Sequence, residues 1–149
     1  MKMWRLLFPV LLLGLVLLFE PAPAQAAKRI TLQNAGGSAV WTCVVVQTYN
    51  GWRVRGWYKV APYSYRTLNF NDAGGSAFGV YAYISNGPRW SGQGNAPVVA
   101  VVDSGMDHNV RQAPYGKNPR RVQVRMVNGN SFKFSYQGQQ QQYRQAGWW

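Results

Sequence analysis

Two runs of β-branched and aromatic residues, Ala39 to Tyr49 and Trp52 to Val60, meet at Asn50-Gly51, and this pairing limits the fold more than any other feature. Asn-Gly between alternating apolar runs is the strongest short-range signal for a hairpin, because both residues tolerate the positive φ of a two-residue primed turn. In that register Tyr49 faces Trp52. Trp41, Cys43, Val45 and Tyr49 then share a core face with Trp52, Val54, Tyr58 and Val60. The opposite face carries Val44 and Val46 beside Arg53, Arg55, Trp57 and Lys59, a mixed basic and aromatic surface.

The rest of the chain agrees with β structure. From Ala27 onward there are 15 valines, two leucines (Leu32 and Leu68), no glutamate, 15 glycines and 19 aromatics, so residues with high strand and turn preference dominate. Further strands are expected over Arg29 to Asn34, Tyr65 to Asn71, Phe78 to Ser85, Pro97 to Asp103, Arg121 to Val127 and Ser131 to Gln137. About eight short strands separated by Gly, Asn, Ser and Pro clusters predict an all-β domain, a compact antiparallel sandwich or a small barrel.

At Asn128-Gly129 a two-residue loop would scramble the faces. Pairing Val127 with Ser131 across three residues instead aligns Val122, Val124 and Met126 with Phe132, Phe134 and Tyr136, and leaves Arg121, Arg125 and Lys133 together outside. The loop Asn86 to Ala96 presents Arg89 beside Trp90, with Trp90 expected either to fold back as a lid or to serve a ligand. Ser104 to Pro119 reads as a second loop. Asp103, Asp107, His108 and Asn109 are metal-ligand types, but their spacing does not match a calcium loop, and an ordinary polar loop is expected.

The ends of the chain have their own chemistry. Lys2 and Arg5 precede the apolar stretch Leu6 to Phe19, and Pro21 to Ala26 supplies the small residues of a signal-peptidase site, so residues 1–26 are read as a cleaved leader. Fourteen apolar residues fall short of the roughly 20 that span a bilayer. Export to the periplasm or beyond follows. Residues 27–137 are the expected β-domain and 138–149, reading GQQQQYRQAGWW, a Gln-rich flexible tail. Cleavage leaves 123 of the 149 residues and removes Lys2, Arg5 and Glu20, so the +12 of the whole chain becomes +11. With Asp72, Asp103 and Asp107 as its only acids, His108 its only histidine and Cys43 its only cysteine, the chain lacks the residues for a four-ligand zinc site or a disulfide framework. No cofactor is expected, and most enzyme classes are disfavoured.

The segment GWRVRGWYKVAP, Gly51 to Pro62, resembles a small exported bacterial family of domains of unknown function, whose members carry a GW turn, a basic residue before GWW or GWY, and a proline soon after. Asn34, Val80 to Tyr83 and the turn Arg89-Trp90-Ser91-Gly92 also resemble it, so the likeness covers about Ile30 to Asp107. Tyr63 replaces the family's usual glycine, and the cysteines expected near Tyr65 and Val98 are missing, which removes the disulfide the resemblance would imply. The resemblance implies export and a compact β-domain, and none of its motifs is catalytic.

The function expected from these features is that of a non-enzymatic binding or structural module of the cell envelope. Arg53, Arg55, Trp57, Lys59, Arg89 and Trp90 would meet an anionic envelope component or a partner protein. The alternatives are an exported nucleic-acid or polyanion binder and, more remotely, a hydrolase that uses His108 with Asp103 or Asp107 and Ser104.

Overall fold

The computed structural model describes residues 27–135, and over them the chain is all β. The strands are β1 (Lys28–Asn34), β2 (Val40–Thr48), β3 (Gly51–Val60), β4 (Ser64–Phe70), β5 (Ala73–Tyr83), β6 (Arg89–Trp90), β7 (Val98–Val101), β8 (Met106–Asn109), β9 (Arg120–Gln123), β10 (Arg125–Asn128) and β11 (Ser131–Phe134). Among the described residues they build three sheets: a central one in the order β10-β5-β2-β3-β8 with β6 added to β5, a three-stranded one in the order β11-β1-β4, and the ribbon β7-β9. Among the described residues the central sheet ends on β10 and β8 and does not close into a barrel, and the layered packing is sandwich-like. The leader and the Gln-rich tail lie outside the described residues.

The run Cys43-Val44-Val45-Val46 explains this layering. Strand β2 lies inside the central sheet, and these four side chains point alternately to its two faces, yet all four are buried. Val44 and Val46 pack with Ile30, Leu32, Leu68, Phe70 and Phe134 of the three-stranded sheet. Cys43 and Val45 pack on the other side with Val99, Val101 and Val122 of the β7-β9 ribbon. A strand covered on both faces reads as an unbroken apolar run, because neither set of side chains meets water. The single core face expected for the first hairpin is therefore corrected to two. Cys43 sits in the second core, where burial pushes its thiol up to about 12.

The hairpin itself turns one residue earlier than Asn50-Gly51. Thr48 pairs with Gly51, the left-handed conformation falls on Gly51 (φ 97°), and Tyr49 stands at the tip with 92% of its surface exposed. Farther along, Thr42 pairs with Tyr58 but Val44 pairs with Arg55, so Gly56 and Trp57, joined by a cis peptide bond, oppose Cys43 alone. This bulge inverts the alternation of β3. Trp52 and Val54 face the second core before it and Trp57 after it, whereas Tyr58 and Val60 face the first core.

Other expectations are also revised. The segments carrying Arg89-Trp90 and Met106 to Asn109 are strands, because each adds to an edge of the central sheet, as β6 on β5 and β8 on β3. The stretch expected as one strand from Arg121 to Val127 divides at Val124, β9 joining the ribbon and β10 the central sheet. Strands β10 and β11 do not pair. At Gly129 (φ 97°), whose N–H donates to the Ser76 carbonyl at 2.6 Å, the chain crosses between sheets, and β11 runs parallel to β1. Arg121, Arg125 and Lys133 consequently lie on three different sheets. The buried Asn34 side chain ties the end of β1 to that of β3, its Nδ2 donating to Ser38, Val60 and Ala61 carbonyls while its Oδ1 accepts from the Gly36 N–H.

The bulge depends on close backbone approach. A Cβ at Gly56 would lie 2.8 Å from Cys43 Cβ and 2.9 Å from Cys43 Cα, both rigid atoms. Gly56→Ala is expected to lower stability by about 1–3 kcal/mol in urea unfolding, against a change within about 0.5 kcal/mol for Gly105→Ala, whose Cβ would meet only the Gly56 carbonyl oxygen at 3.8 Å, an ordinary van der Waals contact. Equal midpoints for the two variants would contradict this account of the bulge.

Candidate functional site

The bulge separates the six residues expected to form one surface. Arg53 and Arg55 precede it and point to the side of the three-stranded sheet, where carboxylates hold them. Arg55, whose side chain is only 10% exposed, donates two hydrogen bonds to Asp72 (2.7 and 2.6 Å) and one from Nε to Asp107 (3.2 Å), and its guanidinium lies over the Phe70 ring. Arg53 Nε donates to the same Asp107 oxygen at 2.7 Å. This cluster fastens the edge strand β8 and the β4–β5 turn to β3. Hydrogen bonding from Arg55 holds the Asp72 carboxyl down at about 2. Burial alone would raise Asp107, but the hydrogen bonds from Arg53 and Arg55 outweigh it and lower its pKa. Trp90 is buried in the first core, its ring edge-on to Phe134 at 5.1 Å, so it folds back onto the sheet.

Trp57, Lys59 and Arg89 come together on the other face. Lys59 pairs with Trp41, Trp41 with Tyr83, and Tyr83 with Arg89, so four neighbouring strands place a cation, two aromatics and a cation in one row. Residues directly opposite in antiparallel strands project from the same face, about 5 Å apart. The backbones of the two outer residues are thus about 14 Å apart by strand spacing. The Lys59 ammonium lies over the Trp41 ring at 5.7 Å. Trp57 stands beside the row with its ring edge-on to Tyr83 (5.4 Å) and to Tyr81 (6.1 Å).

Trp57 is fixed from the ribbon side, its Nε1–H donating to the Val102 carbonyl at 2.7 Å while the Arg120 guanidinium covers its ring. Arg120 is itself paired with Asp103, whose pKa is lowered by hydrogen bonds from Asn118 and Arg120. Trp41, Trp57 and Tyr83 remain half-buried while Lys59 and Arg89 are exposed. Such a platform offers ring faces for stacking and flanking cations for anionic groups.

Sequence reasoning missed Trp41, Tyr83 and Arg120. An unbroken alternation places Trp41 in the core, and Tyr83 joins the row through a strand pairing that alternation alone does not specify.

The residues considered for hydrolysis do not assemble. His108 Nε2–H donates to the Ala100 carbonyl at 3.0 Å, Asp107 binds Arg53 and Arg55, and Asp103 binds Asn118 and Arg120. A cleft of about 590 Å³ lies beside His108, lined also by Met106, Gln112 and Tyr115. Among the described residues no three His, Cys, Asp or Glu side chains group as metal ligands would. No family model, curated protein or solved structure matches the chain.

The ion cluster sets a pH dependence. A carboxyl held near 2 in the folded protein, against 3.8 when free, contributes stability that is complete above about pH 4 and is lost as pH falls toward 2. The urea midpoint is expected to be flat from pH 7 to about 4 and then to drop, with a shallower drop in Asp72→Asn. The same acid limb in both proteins would remove Asp72 from this role.

Proposed function

We propose that the protein is an exported, non-enzymatic binding module of the bacterial cell envelope that holds an acidic glycan on the Trp41–Trp57–Tyr83 platform. The observation carrying this reading is the register that sets Lys59, Trp41, Tyr83 and Arg89 side by side on one face. Ring faces stack on the apolar faces of sugar rings, while Lys59 and Arg89 meet carboxylates or phosphates at either end. The positive net charge adds long-range attraction for an acidic polymer. The leader favours a glycan over nucleic acid, which the same stacking surface would also accommodate.

Tryptophan fluorescence follows the titration of the purified protein with a uronic-acid polymer and with its neutral methyl ester, from about 50 to 200 mM salt. The acidic polymer is expected to bind and to weaken with salt, and the double variant Lys59→Ala/Arg89→Ala to lose about tenfold or more in affinity while unfolding at the same urea concentration. Equal binding of the ester, an unchanged double variant, or much tighter binding of a single-stranded oligonucleotide would each overturn the reading.

A further inference from the structure

The three-stranded sheet has an outward face with a regular chemistry of its own. Its inward residues Ile30, Leu32, Leu68, Phe70 and Phe134 fill the first core, so the alternate positions point away from the molecule. Register places Ser131, Thr31 and Thr67 in one row, and Lys133, Gln33 and Tyr65 in the next. Arg29 and Asn69 form a third, shorter row in which Arg29 Nε donates to Asn69 Oδ1 at 3.2 Å. Every one of these side chains is a hydroxyl, an amide, a cation or an aromatic. No carboxylate lies among them, since the three described aspartates are engaged with Arg53, Arg55 and Arg120. Tyr65 is 73% exposed and the nearby Tyr63 78%.

We infer that this face is a second binding surface for the acidic glycan of the proposed function, on which the inference rests, and that one molecule bridges two glycan strands. The rows repeat about every 7 Å along the strands and about every 5 Å across them. That grid of donors and acceptors matches a hydroxyl-rich polymer, Tyr65 offers a ring face, and Arg29 and Lys133 complement its acidic groups. The backbone beneath is held by the packed core, so the array is pre-organised and little ordering opposes binding. The placement of the two surfaces gives the bridging. The three-stranded sheet covers one face of the central sheet and the Trp41–Tyr83 row lies on the other, so the two surfaces point in opposite directions across stacked sheets about 10 Å apart.

The test follows light scattering and tryptophan fluorescence as the uronic-acid polymer is added to the purified protein, after sedimentation has established that it is monomeric without polymer. The wild type is expected to raise scattering to a maximum and to lose it when protein is in large excess, as each strand becomes saturated by separate molecules. Tyr65→Ala, which leaves the charge unchanged, and Arg29→Gln/Lys133→Gln are expected to keep the fluorescence change with affinity within about threefold, yet to lose most of the scattering. Lys59→Ala/Arg89→Ala is expected to lose scattering while still binding immobilised polymer through the remaining face. Scattering by Tyr65→Ala equal to wild type, a dimer without polymer, or complete loss of binding in Lys59→Ala/Arg89→Ala would overturn the bridging inference. The last outcome leaves the platform reading intact. Unchanged fluorescence titrations in Lys59→Ala/Arg89→Ala would instead remove the platform itself.

Discussion

Burial of β2 on both faces is the constraint on which the rest of the structure depends. Four consecutive apolar side chains, Cys43 to Val46, leave no face of this strand for water, so a second layer must cover each side. The three-stranded sheet supplies one cover and the β7-β9 ribbon the other. Burial of each such side chain is worth about 1.5–3 kcal/mol, enough to make the covering layers part of one cooperative unit rather than optional additions. Placing the covers requires the chain to pass between sheets, as at Val124, where it enters the central sheet from the ribbon, and at Gly129, where it leaves for the three-stranded sheet.

The bulge in β3 converts this scaffold into a surface with two different faces. Before Gly56 the arginines of β3 turn toward carboxylates and act as fasteners, with Arg55 joining the β4–β5 turn and the β8 edge through Asp72 and Asp107. After it, Trp57 and Lys59 turn to the opposite side and join side chains from β2, β5 and β6. Cations that look equivalent along a linear sequence thus divide into charges neutralised within the fold, Arg53 and Arg55, and charges left exposed, Lys59 and Arg89. The two sets are not chemically equivalent, because a guanidinium already paired with a carboxylate must be separated from it before it can meet another anion.

Much of the architecture was legible in the residues. Valine-rich runs without glutamate point to the all-β class, the large area of Trp90 favours its folding back as a lid, and Cys43 among valines reads as a core residue, which it is. The candidate site was only partly legible. Trp57, Lys59 and Arg89 could be named from their types, but Trp41 and Tyr83 could not, because their place in the row depends on a bulge and on pairings between distant segments. The second hairpin failed for a related reason. The apolar faces of Arg121 to Val127 and Ser131 to Phe134 match each other in register, yet they match two separate cores equally well, and local alternation does not distinguish these arrangements.

The sequence by itself determined strand content, the excess of positive charge and the scarcity of acids and of metal- or disulfide-forming residues. These are properties of side-chain chemistry and short-range backbone preference, and they hold whatever the chain folds into. Only the tertiary structure decided which face each side chain occupies, which arginines meet the three aspartates and which aromatics stand in one row. Such outcomes depend on strand partners far apart in the chain and on a single extra residue at Gly56-Trp57 that inverts everything beyond it, because side chains in a strand alternate with a period of two.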